Sequence, residues 1–233
     1  MSVGVLVRGL SFSGPAVARA LPFAVFIVLM AAEPWLAAQL SGMIDPRWLY
    51  GIRAALVAGL IFVYWPSFTE LTAARRPSIQ QIGLAMAAGL IVLAIWLSLD
   101  SGVFVLGQSG SGFEPLAADG SIDWSLALMR LAGSALVVPL MEELFWRSLV
   151  MRWLEEADFS AVDPARIGLR AVLFSSIVFG LEHSQWAAGM LAGLVYGWLY
   201  VRSGNLWVPI AAHAVTNAGL GLWVLATGAW YFW

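Results

Sequence analysis

An all-α, polytopic membrane fold is what this sequence predicts, on three observations. Hydrophobic residues make up 61% of the 233 and charged residues only 11%, which is too little polar surface for a soluble chain of this size. The apolar residues gather in seven runs long enough to cross about 30 Å of hydrocarbon, a distance that takes roughly 17 to 25 helical residues. Trp48, Trp65, Trp124, Trp207, Trp230 and Trp233 stand near the ends of those runs, where an aromatic belt meets the membrane interface.

The runs lie near 20–39, 48–66, 80–99, 124–151, 167–184, 186–202 and 206–231. The first contains Glu33 and lacks a small-residue cleavage site after it, so it is expected to stay as a helix and not to leave as a signal peptide. Arginines then orient the set. Arg8, Arg19, Arg75, Arg76, Arg152, Arg166, Arg170 and Arg202 fall on one side of a seven-span arrangement and Arg47 alone on the other. By the positive-inside bias this predicts an integral protein of a bacterial inner membrane, with the amino terminus cytoplasmic and the carboxyl terminus outside. Residues 100–123 carry four acids, no base and the run GQSGSG, and are expected to form a flexible outer loop. The loop divides an amino-terminal three-helix region, 1–123, from a four-helix region, 124–233, within one integrated membrane domain. Nearly all the unusual polar residues lie in the second region.

Composition also excludes. There is no lysine, and no basic run exceeds Arg75-Arg76, so no nucleic-acid partner is expected. The absence of cysteine removes disulfides, thiol nucleophiles and thiolate metal sites. The partners left are the lipid bilayer and a membrane-anchored protein or peptide.

Three charges stand together in the fourth run, MEELFWRSL, residues 141–149. Each charge deep in a membrane helix costs at least about 2.5 to 3.5 kcal/mol on insertion scales. Glu143 and Arg147, four apart on a helix, can neutralise each other. Glu142 points about 100° away, toward Phe145 and Trp146, and a carboxylate desolvated by aromatic walls is a better proton acceptor. Pro139 lacks an N–H and is expected to free the carbonyl of Ala135 and kink the helix. A purely structural arrangement, both glutamates locked on Arg147, explains the triplet equally well when it is taken alone.

The two histidines shift that balance. His183 follows Phe179 by four, placing a ring on the imidazole face, and His213 precedes Asn217 by four, so both can serve one cavity. Glu142 lies nine residues from the arginine-rich end of its run, His183 thirteen from Arg170, and His213 and Asn217 seven and eleven from Leu206. At helical rise all four are about 10 to 20 Å deep. They are expected to surround one water-accessible cavity opening toward the cytoplasm. Glu33, Arg53 and Arg130 are expected to pair between helices. Gly189, Gly193 and Gly197, every fourth residue of the sixth run, predict a close packing face.

These residues resemble a known family. Glu142-Glu143 with Arg147, Phe179 with His183, and His213 with Asn217 are similar, in order and spacing, to the motifs EExxxR, FxxxH and HxxxN/B of the CAAX prenyl endopeptidase and bacteriocin-processing family of intramembrane proteases. The resemblance covers about 125–220. The form EELFWRS also resembles the bacterial subgroup associated with exosortase-type protein sorting, although many family members read FRG where this chain has Trp146-Arg147-Ser148. The resemblance implies peptide-bond hydrolysis without a cofactor. Glu142, helped by His183, would deprotonate a water; His213 and Asn217 would stabilise the oxyanion; Glu143 and Arg147 would orient Glu142, and Phe179 would hold His183. The residues alone support the same roles, as a general base and preorganised donors.

Three other readings compete. Glu142, His183 and His213 could hold a zinc ion with an open position for water, although HExxH is absent and Glu182-His183 has the reverse order. Gly107-Gln108-Ser109-Gly110 matches GxSG of rhomboid-type serine proteases but falls in the polar loop, where a linker explains it better. A non-catalytic immunity or transport protein could keep such polar residues for binding or proton relay, yet the sequence lacks the inverted repeat common in transporters.

Overall fold

The computed structural model describes residues 14–107 and 112–233. Arg8 and the Gln108–Gly110 part of the GxSG match lie outside the described residues. All seven apolar runs are helical: α1 Gly14–Gln39, α2 Trp48–Tyr64, α3 Ile79–Ser98, α4 Trp124–Met151, α5 Leu169–Leu181, α6 Trp186–Ser203 and α7 Trp207–Thr227. Among the described residues extended pairing is limited to a single bridge between Leu116 and Ile122. Five helices, all but α5 and α6, are long and apolar enough to cross a membrane. The run at 167–184 therefore does not form a full span. Its helix has 13 residues, about 20 Å at α-helical rise, and ends at Leu181, so that Glu182 and His183 sit on the turn that leads into α6.

That turn is tied to its surroundings. Gln185 donates from Nε2 to the carbonyls of Trp96 and Leu99 at the end of α3, where a helix leaves carbonyls without intrahelical partners. α5 and α6 then pack back to back along the predicted glycine face. A β-carbon on Gly193 would stand 2.8 Å from Ser176 Cα, and one on Gly189 3.0 Å from Gly180 Cα, so only glycine permits this approach. α3 lies equally close to α7, with Gly89 facing the carbonyl of Ala212. The amino-terminal helices are thus built into the same bundle as the carboxyl-terminal four.

α4 departs from regular α geometry twice, with π-helical turns at Gly133–Val137 and Leu144–Met151. In the first, the amide of Val138 reaches back five residues to the carbonyl of Gly133. The next donor in that register is Pro139, which has no N–H, so the carbonyl of Ser134 is open to a side chain. π turns inside α-helices are uncommon and concentrate at functional sites.

At the arginine-rich end, Arg19 is buried and bonds the Glu70 carboxylate from Nε (2.9 Å) and Nη2, while Ser148 of α4 donates to the same carboxylate. Arg152 is likewise buried, on the carbonyls of Ser160 and Val162. At the other end the loop expected to be flexible is docked where it is described. Arg47 donates to the carbonyls of Glu114 and Leu116, Leu106 bonds Ser184 O, Phe113 bonds Trp233 O, and Trp186 donates to Val103 O. Glu33 and Arg53 form the expected interhelical pair at 2.6 Å. Arg130 joins no ion pair and instead lies 4.0 Å over the ring of Tyr50.

Candidate active site

Glu142, His183, His213 and Asn217 line one cavity of about 260 Å³, together with Tyr50, Arg53, Trp96, Arg130, Ser134, Phe179, Glu182 and Tyr196. Two helices and one turn bring the first four together. α4 supplies Glu142 from the short α-helical stretch between its two π turns, α7 supplies His213 and Asn217, and the α5–α6 turn supplies His183.

Glu143 is fully buried and makes two contacts. Its Oε2 lies 3.1 Å from Arg147 Nε, and its Oε1 lies 3.0 Å from His213 Nδ1. The i,i+4 ion pair expected along α4 is therefore half of a relay that crosses to α7. A carboxylate accepts only, so Nδ1 of His213 carries the proton of that bond and Nε2 is turned the other way, to within 3.9 Å of Glu142 Oε2. Tyr196 stacks on the His213 ring at 4.8 Å and its hydroxyl donates to Thr216. His213 is thus fixed by bond and by packing.

Glu142 is 8% exposed, and its Oε2 has no hydrogen-bond partner. A buried carboxylate oxygen is rarely left so, because the lost solvation costs about 1–3 kcal/mol or more. His183 is held differently from His213. Its Nδ1 lies 2.8 Å from the carbonyl of Phe179, the Phe179 ring is tilted against it at 4.9 Å rather than stacked, and Trp96 meets it edge-on at 5.4 Å. Phe179 also carries the Arg147 guanidinium 4.6 Å from its ring centre, so one aromatic side chain separates the cation from both imidazoles. Asn217 donates to the carbonyl of Ser134 at 2.9 Å, the acceptor that Pro139 and the π turn leave open.

Several of these residues carry no signal in the sequence. Tyr196, Trp96 and Thr216 look like ordinary helix residues, and no local spacing relates them to a histidine. Glu182 was legible as the neighbour of His183, but its place was not; it lines the cavity and accepts from Trp146 Nε1 at 3.1 Å. Direction also differs from expectation. The lining reaches Tyr50, Trp96, Arg130, Phe232 and Trp233, all at the arginine-poor end, and a second cavity of about 720 Å³ adjoins it there, sharing Met30, Tyr50, Arg53, Arg130 and Trp233. No residue of the loops at the arginine-rich end lines either cavity. The short α5 is the reason: its end at Leu181 opens the bundle on that side.

Among the described residues no three His, Asp or Glu side chains converge closely enough to hold a metal ion. The zinc set Glu142, His183 and His213 does not fit as the residues stand.

Residues 124–219 match the family model described as Type II CAAX prenyl endopeptidase Rce1-like. This part of the chain is similar to that family. The match begins at the first residue of α4 and takes in all three motifs, so the Rce1-like region coincides with the walls of the cavity other than those given by α1 to α3 and the last residues. The chain is also 32% identical over 123 residues to the Bacillus subtilis (strain 168) protein named "Putative membrane peptidase YdiL", an alignment covering 52% of this chain and 46% of the relative. The chain thus matches about half the length of that curated relative. No solved structure matches it.

Proposed function

We propose that this Rce1-like protein is an intramembrane endopeptidase that cuts a membrane-anchored protein or peptide with a water activated by Glu142. The observation that carries the reading is the unpartnered, buried Glu142 carboxylate in a cavity that also holds His183, His213 and Asn217. Water between Glu142 and Nε2 of His183 loses a proton to Glu142, and its oxygen attacks the carbonyl carbon of the scissile peptide. Charge then develops on the carbonyl oxygen. His213 offers Nε2–H to it in the imidazolium form, whose charge Glu143 offsets from Nδ1, and Asn217 is held nearby on the Ser134 carbonyl. On collapse of the tetrahedral intermediate, Glu142 returns its proton to the leaving amine. Glu143 and Arg147 position His213 in this scheme, a different task from the orientation of Glu142.

In this reading the cavity mouth is the arginine-poor end of the bundle, and the substrate segment enters there. A zinc-dependent reaction is the second reading, favoured by one feature: both histidines engage Nδ1 and leave Nε2 toward the cavity, as metal-bound histidines commonly do.

Purified protein incubated with a library of lipid-anchored peptides, with products read by mass spectrometry, tests the proposal. Cleavage that survives chelator and is lost in Glu142→Gln supports it. Cleavage lost on chelation and restored by zinc replaces it with the metal reading, and no cleavage of any anchored peptide ends the protease reading.

A further inference from the structure

Glu182 lines the active-site cavity yet takes no part in the reaction at Glu142. Glu33, Glu70 and Glu143 each meet an arginine: Arg53, Arg19 and Arg147. Glu182 joins no ion pair among the described residues, although it is exposed and stands in the cavity wall beside His183. The cations of the bundle are out of its reach or already committed. Arg147 is buried on Glu143 with the Phe179 ring against it, and Arg130 precedes Trp146 by sixteen positions, about 24 Å of helix. His183 engages the Phe179 carbonyl and His213 engages Glu143 through Nδ1. The Glu182 carboxylate is nevertheless fixed in place. Its Oε2 accepts from Trp146 Nε1 at 3.1 Å, and its Oε1 takes no bond among the described residues. The turn that carries it is pinned by Gln185 on the carbonyls of Trp96 and Leu99 and by the Leu106 amide on Ser184 O. A phenylalanine at 146 would fill similar space without an N–H, so the indole aims the carboxylate as well as packing.

We infer that Glu182, held by Trp146, forms a specificity subsite that binds an arginine or lysine side chain of the substrate within about two residues of the bond that is cut. The inference deepens the proteolytic reading and rests on it for the identity of the ligand as a peptide. Charge sets the class of group. A carboxylate at membrane depth normally finds a partner, and a guanidinium or ammonium supplies both the opposite charge and N–H donors for Oε1, a bond stronger than one to a neutral donor. An uncharged side chain at the same place leaves the carboxylate uncompensated. Position follows from α4. Trp146 stands four residues beyond Glu142, about 6 Å of helix, and helical side chains lean toward the amino-terminal end of their helix, so the indole and the carboxylate it holds lie near the level of Glu142. An extended peptide advances about 3.3 to 3.6 Å per residue, which puts the cation one or two residues from the bond facing Glu142.

The test reads binding first, so that it does not depend on turnover. Glu142→Gln protein in vesicles of phosphatidylcholine is given a pool of lipid-anchored decapeptides in which one position at a time carries arginine or citrulline, its uncharged isostere, and retained peptides are quantified by mass spectrometry. Arginine is expected to be retained over citrulline by roughly tenfold to a hundredfold at one or two adjacent positions, falling to parity in Glu142→Gln/Glu182→Gln. Glutamine keeps an oxygen for the Trp146 N–H and loses only the charge, so a Glu182 that merely ties α4 to the turn predicts an unchanged preference, and that result overturns the inference. Glu142→Gln/Trp146→Phe, which removes the N–H and keeps a ring, is expected to weaken the preference without abolishing it. With Glu142 intact, Glu182→Gln is expected to lower kcat/KM on arginine peptides more than on citrulline peptides, and the preferred position is expected within two residues of the cut; an equal loss on both sets makes Glu182 part of the reaction and overturns the subsite. Arginine and citrulline retained alike by Glu142→Gln protein also overturns it, even if wild-type protein cleaves peptides. An arginine preference that Glu182→Gln removes, in a protein that cleaves nothing, keeps the subsite and removes the protease.

Discussion

Glu143 and His213 are bound to each other across the bundle, carboxylate Oε1 to imidazole Nδ1 at 3.0 Å, with the carboxylate fully buried. The contact ties the first motif on α4 to the third on α7 and gives the two adjacent glutamates unlike work. Glu143 faces Arg147 at 3.1 Å and bonds His213, whereas Glu142 comes no closer to a charged group than 3.9 Å from His213 Nε2.

That difference predicts a split between stability and activity. Glu143→Ala leaves the buried Arg147 and His213 without their acceptor, a loss of about 3 to 5 kcal/mol, and is expected to lower both yield and melting temperature in detergent. Glu142→Gln is expected to melt close to wild type and to be inactive. Equal melting temperatures for the two variants would remove the distinction.

Loss of an oxyanion donor typically costs a factor of about 10² to 10³ in turnover. His213→Ala and Asn217→Ala are expected to fall in that range, with the cavity still intact by solvent labelling and with no change in bound metal. Zinc at about one per chain in wild type, lost from His213→Ala together with turnover, would decide for the metal reading.

Pro139→Ala restores a backbone N–H that can bond the Ala135 carbonyl in α register, which would move the Val138 amide from Gly133 to the Ser134 carbonyl and displace Asn217 from it. A one-residue shift in register rotates Glu142 by about 100° around α4. The expected outcome is activity reduced tenfold or more at unchanged or higher melting temperature. A fully active variant would show that the π turn does not position Glu142.

Glu70 predicts an acid-sensitive fold. Burial pushes its carboxyl up, but the Arg19 guanidinium and the Ser148 hydroxyl more than offset this and hold it below its ordinary value of 4.5. A carboxyl lowered in the folded state contributes stability that is fully present above its unfolded value and is lost as pH falls through its folded one. Melting temperature is expected to drop below about pH 4.5, and to drop less in Glu70→Gln, which starts lower at neutral pH. Parallel pH profiles would place the acid sensitivity elsewhere.

Gly193→Val places side-chain atoms where Ser176 Cα is already 2.8 Å from a β-carbon. Separation of α5 from α6 would move His183, so activity is expected to fall before the protein unfolds; Gly59→Val, with open space around it, serves as the control.

The sequence by itself determined the helical membrane fold, the seven helices, the glycine face of α6, and the seven motif residues, because apolar run length and i,i+4 spacing are local properties that survive any arrangement of the helices. Family resemblance over 125–220 and the matched region 124–219 rest on the same local spacing. Only the tertiary structure decided which residues meet across helices. The Glu143–His213 bond, the stacking of Tyr196, the place of Glu182, the Asn217–Ser134 anchor and the seat of Arg130 on the Tyr50 ring join positions up to 83 residues apart on different helices and turns, and no one-dimensional period encodes them. The direction of the cavity was misjudged for a related reason. Depth counted along each run assumes that every run spans the membrane, whereas α5 stops after 13 residues, and where a helix stops inside a bundle is settled by the partners its ends find there.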